Sequence, residues 1–138
     1  MKKEFQVPSE LARVQTTGHE LLDLLTPLHL DKSVLFDIRL CFEEALINAM
    51  KYGNALDRSK NAEVSVEFDD AKVAIAIQDQ GEGFKPTELA DCTDKEHQLR
   101  GHGRGVHLIH KLMDKVEYNA KGNRVLMVKF LKPEAKRS

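Results

Sequence analysis

The sequence predicts an α+β two-layer sandwich, a mixed, mostly antiparallel sheet of about five strands with three helices on one face. Three observations lead there. Apolar residues alternate with polar ones in short stretches near the start, in the middle and near the end of the chain. Longer stretches with helical spacing lie between them. Two strand pairs follow each other directly through short turns, which an all-parallel doubly wound sheet does not allow.

Phe5 and Val7 alternate with polar residues and predict a first strand that Pro8-Ser9 stops, with Ser9 as a helix cap. Leu11, Val14, Gly18, Leu21, Leu22 and Leu25 recur at helical spacing, and Pro27 ends that helix. Asp31 is placed to cap a second helix that runs to a stop at Gly53-Asn54. This helix is apolar over most of its surface from Val34 to Met50, so it is expected at the centre. Val64, Val66 and Phe68, then Val73 to Ile77, predict a hairpin whose second strand is buried on both faces. No period survives from Gln80 to His102, and such a stretch inside a compact domain reads as a lid or binding loop. Val106, Ile109, Leu112 and Met113 mark a third helix. Val116 to Ala120, the Lys121-Gly122-Asn123 turn and Val125 to Phe130 close the chain with a second hairpin.

With 138 residues the chain is expected to form one domain, residues 1–132, followed by a charged tail, residues 133–138. The net charge of -1, with both signs mixed along the chain, argues against direct nucleic-acid binding. No apolar run is long enough for a membrane span, and the charged start does not resemble a secretion signal, so a cytoplasmic location is expected. Cys41 falls in an apolar helical pattern and reads as a small core residue.

Three segments carry chemistry. Glu44 and Asn48 stand one helical turn apart and so share a face. An Asn among Ala45, Leu46, Ile47, Ala49 and Met50 needs a partner. It either bonds a neighbouring backbone group or offers its amide oxygen to Mg²⁺. Glu44 is then placed to take a proton beside a terminal phosphate. Glu43 points to another side and is left out of the site. Asp79 ends the buried strand ahead of Gly81, Gly83 and Phe84. It forms either an ordinary Asp-Gly turn or an acceptor for an exocyclic amine such as that of adenine, with glycines that let backbone approach a flat base. Gly101, Gly103 and Gly105, with Arg104 and Val106, lead into the third helix, expected to begin near Arg104. This is either a flexible loop or a helix N-terminus whose amides bind phosphates. It has neither the dinucleotide-binding nor the P-loop spacing. His97, His102, His107 and His110 cluster near this helix without a completing metal ligand, and read as solvated.

Taken together, these segments resemble the GHKL superfamily, which holds gyrase and the histidine kinases. Glu44-x-x-x-Asn48 is similar to its N box, Asp79-x-Gly81-x-Gly83-Phe84 to its G1 box and Gly103-x-Gly105 to its G2 box. Phe5-Gln6-Val7-Pro8, Asn48 to Asn54 and Leu112 to Val116 resemble the bacterial anti-sigma-factor serine/threonine kinases. The likeness covers almost the whole chain. It implies a Bergerat-type ATP fold with ATP and Mg²⁺ as cofactors, Asn48 on the metal, Glu44 as base and Asp79 on adenine. It also implies that Lys51 and the glycine-rich segments contribute to nucleotide binding and that a lid covers the phosphates. The implied partner is a small STAS-domain anti-anti-sigma protein phosphorylated on Ser or Thr, with a sigma factor as competitor and a homodimer as the usual assembly. Tyr52 departs from the pattern, where His is common, as does Asn123-Arg124, where Thr is frequent. Two other functions fit the same pocket: an ATP-binding switch protein without transfer activity, and a detached histidine-kinase catalytic domain.

Overall fold

The computed structural model describes residues 1–81 and 102–131, with side chains in the second segment from His107 onward. The strands are β1 (Lys2–Pro8), β2 (Asn61–Phe68), β3 (Lys72–Gln78), β4 (Lys115–Tyr118) and β5 (Arg124–Phe130). The helices are α1 (Val14–Leu24), α2 (Lys32–Asn48) and α3 (His102–Leu112). Short 3-10 turns precede α1 and α2, and α2 runs on into a π turn, Ala49–Gly53.

The strands form one sheet in the order β1-β2-β3-β5-β4. Every pairing is antiparallel, so the expected mixed character is absent among the described strands. The reason is geometric. β1, β3 and β4 share a direction, and in this order no two of them are neighbours.

The register sorts the side chains by face. Phe5 opposes Val64, Val64 opposes Ile77, Ile77 opposes Val125 and Val125 opposes Tyr118, and all of these point to the helical side. Val7, Val64, Val66, Ile75, Ile77 and Met127 form one buried cluster with Leu21 of α1, Ile38, Phe42 and Leu46 of α2, and Ile109 of α3. The three helices thus cover one face of the sheet. On the other face of β3, Ala76 is buried and Ala74 only partly so. The expectation of a strand buried on both faces therefore holds only where a small side chain is shielded by its strand neighbours, Ser65 and Leu126.

Three local expectations need correction. Ser9 caps no helix: its hydroxyl donates to the Lys60 carbonyl at 2.7 Å, tying the end of β1 to the start of β2. Leu11 sits in the 3-10 turn ahead of α1 and is 45% exposed, so it does not share the buried stripe of Val14 and Leu21. Asp31 occupies the N-cap of α2 with extended backbone but makes no capping side-chain bond.

Cys41 is a core residue, as its setting in the sequence suggests. Burial, then the nearby Asp37 charge, pushes its thiol up to about 12, so it stays protonated. Lys129 faces the helices, and its ammonium donates to the Leu112 carbonyl at 2.8 Å, satisfying the end of α3.

Leu21→Ala is expected to cost about 2–5 kcal/mol in urea unfolding, because it empties a fully buried site, whereas Leu11→Ala should stay within about 0.5 kcal/mol. Equal effects would contradict the placement of α1.

Candidate functional site

β3 places alternate residues toward the helices, and Asp79 continues that inward series one residue past the strand. Its side chain has almost no contact with water, at 8% exposure. The backbone on either side is fixed by the β4–β5 turn. The Asp79 N–H donates to the Asn123 carbonyl at 2.8 Å, and the Asn123 side-chain amide donates to the Asp79 carbonyl at 3.1 Å. Asn119 organises that turn by accepting from the N–H groups of Gly122, Asn123 and Arg124, while Gly122 adopts a φ of 81°. The expected Lys121-Gly122-Asn123 turn is therefore present, and glycine is needed at its left-handed position.

Gly81 turns its N–H back to the Asp79 carboxylate at 2.8 Å. Gly53, at the end of the π turn, lies against the same carboxylate. A Cβ at Gly53 would come within 2.6 Å of Asp79 Oδ1 and overlap the rest of the group, and one at Gly81 would strike the Gly53 carbonyl. The carboxylate is thus packed against backbone from two segments. Burial raises the Asp79 pKa, with the Gly81 N–H and then Lys121 acting in the opposite direction.

Asn54 is fully buried beside this arrangement. Its side-chain oxygen accepts from the Gln80 N–H at 2.7 Å, and its amide nitrogen donates to Ser9 Oγ at 3.0 Å. From the sequence, Gly53-Asn54 reads only as a helix stop. Asn54 and Asn123 are the site residues that sequence reasoning missed. A buried-polar signal was present at neither, because their partners lie far away in the chain.

Asp79 forms one wall of a cavity of about 550 Å³, measured with its open mouth. Apolar walls come from Ala45, Ala49, Ile77, Ile109 and Val125, and polar ones from Asn48 and the β4–β5 turn. Tyr52, Gly53 and Tyr118 complete the rim. Apolar walls with a few convergent polar groups suit a ligand with a flat apolar part.

The predicted site residues divide as follows. Asn48 and Asp79 line the cavity together, with Gly81 bonded to Asp79. Asn48 is half-buried rather than enclosed by apolar residues, since it sits at the cavity edge, and its amide makes no side-chain hydrogen bond among the described residues. Glu44 lies one turn earlier on α2 and is half-buried, outside the lining of the cavity. Glu43 turns toward α1, paired with Arg39 at 2.9 Å, and its carboxylate lies where a Cβ at Gly18 would be. Lys51 is exposed, its ammonium 5.6 Å over the Tyr52 ring. α3 begins at His102, two residues before the expected start, so Gly103, Arg104, Gly105 and Val106 lie within its first turns. Gly83, Phe84, Gly101 and most of the expected lid lie outside the described residues. His107 and His110 are exposed, and no metal-binding group of His, Cys, Asp or Glu exists among the described residues. No described helix is long and apolar enough to cross a membrane.

The family model described as histidine kinase-like ATPase domain matches residues 7–129. The chain belongs to this family. A comparison with curated proteins returns no match. Histidine kinase-like ATPase domains bind ATP, usually with Mg²⁺, and the cavity fits both. A dehydrated carboxylate with spare acceptor capacity suits the adenine amine, and two backbone segments without side chains suit the flat ring. The Asn48 amide, without a side-chain hydrogen bond among the described residues, suits a Mg²⁺ that keeps most of its other ligands as water and phosphate.

Gly53→Ala should weaken Mg-ATP binding about tenfold or more in calorimetry, because the methyl displaces the Asp79 carboxylate. Wild-type affinity in that variant would contradict the packing. Asp79→Asn should raise the melting temperature of the ligand-free protein at pH 7. An acid whose folded pKa lies above its unfolded value costs stability once ionised. That cost disappears as pH falls from above the folded pKa to the unfolded one. The gain over wild type should therefore shrink toward pH 4, the ordinary aspartate range. A gain that grows on acidification would contradict the assigned burial.

Proposed function

We propose that this chain is an ATP-dependent serine/threonine protein kinase that acts as an anti-sigma regulatory factor in the cytoplasm. Its substrate is a small STAS-domain anti-anti-sigma protein, a sigma factor is the competing partner of this chain, and the chain acts as a homodimer. The observation that carries the kinase reading is the difference between the two adjacent acids of α2. Glu43 is engaged by Arg39 and packed on α1. Glu44 makes no ion pair among the described residues and lies one turn from Asn48 at the cavity.

Each residue then has a role that its position supports. Asp79 accepts from the adenine amine and fixes the base. Asn48 holds Mg²⁺ through its amide oxygen. Bound Mg-ATP supplies a terminal phosphoryl group that its metal has partly neutralised. Glu44 takes the proton from a serine or threonine hydroxyl as the new oxygen–phosphorus bond forms and the bond to the β-phosphate oxygen breaks. Transfer of this kind needs placement and charge stabilisation more than covalent chemistry, so one acid, one metal ligand and backbone amides suffice. The partner assignment rests on the resemblance of Phe5 to Pro8, Asn48 to Asn54 and Leu112 to Val116. These segments form the end of β1, the end of α2 with its π turn, and the junction of α3 with β4.

The test is transfer of labelled phosphate from ATP to STAS-domain proteins. Glu44→Gln should keep ATP affinity and lose transfer by about 10²-fold or more, and Asn48→Ala should abolish the Mg²⁺ dependence of binding. Normal transfer by Glu44→Gln would remove the base assignment. ATP binding with no transfer to any STAS protein would favour the ATP-switch reading.

A further inference from the structure

The base-reading carboxylate is not held by cavity residues alone. Asn54 has no exposure, and both halves of its amide are committed. Ser9 Oγ donates its only proton to the Lys60 carbonyl at 2.7 Å, so toward Asn54 it can only accept. That leaves the amide nitrogen of Asn54 as the donor to Ser9, at 3.0 Å. The amide oxygen must then face the other way, where it receives the Gln80 N–H at 2.7 Å. The Ser9 hydroxyl, just past the end of β1, and the Gln80 N–H therefore fix the same orientation of the Asn54 amide. Gln80 immediately follows Asp79, and Gly81 reaches back to the Asp79 carboxylate at 2.8 Å. The line Lys60–Ser9–Asn54–Gln80 thus ends on the peptide that sets the carboxylate direction. Neither Ser9 nor Asn54 lines the cavity.

We propose that Asn54 is a positioning residue for nucleobase selection, with Ser9 as its anchor, so that a residue just past β1 tunes which base the cavity accepts. This rests on the reading that Asp79 accepts a hydrogen bond from the adenine amine. With Asn54 in place, the Gln80 peptide is pinned from one side and Asn123 pins the Asp79 peptide from the other. Without it, the carboxylate can swing, and a base that offers an oxygen in place of an amine loses less by comparison.

The experiment compares Mg-ATP with Mg-inosine triphosphate, which carries a carbonyl oxygen where adenine has its amine, by calorimetry on the intact chain. The wild type should prefer ATP. Asp79→Asn should collapse that preference, since an amide can donate as well as accept. Asn54→Ala should lower the preference about tenfold and Ser9→Ala about threefold, the scale of one lost or misaligned buried hydrogen bond. Ser9→Thr, which keeps the hydroxyl, should restore it. Ser9→Ala also serves if Asn54→Ala does not fold. In Ser9→Ala without nucleotide, amide exchange at Gln80 and Gly81 should accelerate. A fall in melting temperature with an unchanged ATP preference in both Ser9→Ala and Asn54→Ala would overturn the proposal and leave the Asp79 reading standing. An unchanged preference in Asp79→Asn would overturn both.

Discussion

A carboxylate held out of water at the end of a central strand is the constraint on which the site depends. Asp79 is carried inward by the same alternation that buries Val73, Ile75 and Ile77. Burial alone would favour its neutral form. Ionisation is kept accessible by the Gly81 N–H and by Lys121, and direction is kept by Asn123, whose carbonyl accepts from the Asp79 N–H and whose side-chain amide donates to the Asp79 carbonyl. Gly53 lies against the carboxylate, where any side chain would collide with it. A buried, partly satisfied acid is poor for stability and useful for recognition, because a ligand that supplies the missing donor is rewarded by the full cost of leaving it unmet.

α2 brings the second half of the site to this acid. The helix is central because it packs against α1 on one side, α3 on the other and the sheet beneath. Its end changes character: the π turn Ala49–Gly53 places Tyr52 and Gly53 at the cavity, and Ala55 and Leu56 then take left-handed φ angles of 53° and 57°. Such a conformation costs roughly 1 kcal/mol or more at each non-glycine residue. The Leu56 N–H bond to the Met50 carbonyl at 2.7 Å and the buried Asn54 amide help to offset it. The irregular segment stands where the Asp79 loop, the α2 end and the β1 end meet.

Much of this was legible in the sequence. The alternation of Val64, Val66 and Phe68, the buried run from Val73 to Ile77 and the Gly122 turn have local signatures, and each element formed where its period placed it. Asn48 was legible as a cavity residue because a short polar residue interrupts an apolar run, and Asp79 because it ends a buried strand just ahead of glycines. The roles of Asn54 and Asn123 were not, because each depends on a partner brought near only by the fold: Ser9, 45 positions from Asn54, and Asp79, 44 from Asn123. Ser9 misled for the same reason. A serine after a strand and before a helical pattern resembles a cap, yet the Lys60 carbonyl competes for it across the sheet edge. Leu11 misled because helical spacing continues through a 3-10 turn that rotates its side chain away from the core.

In the proposed function, nucleotide enters between the end of α2 and the end of β3. Amide and side-chain resonances followed during a Mg-ATP titration test it most directly. The shifts should concentrate at Asn48, Gly53, Asp79, Gly81, Ile109 and Asn123, with Leu28, Leu30 and Phe130 at the opposite end of the sheet unchanged. Saturating shifts confined to that opposite end, or none at millimolar Mg-ATP, would contradict the account.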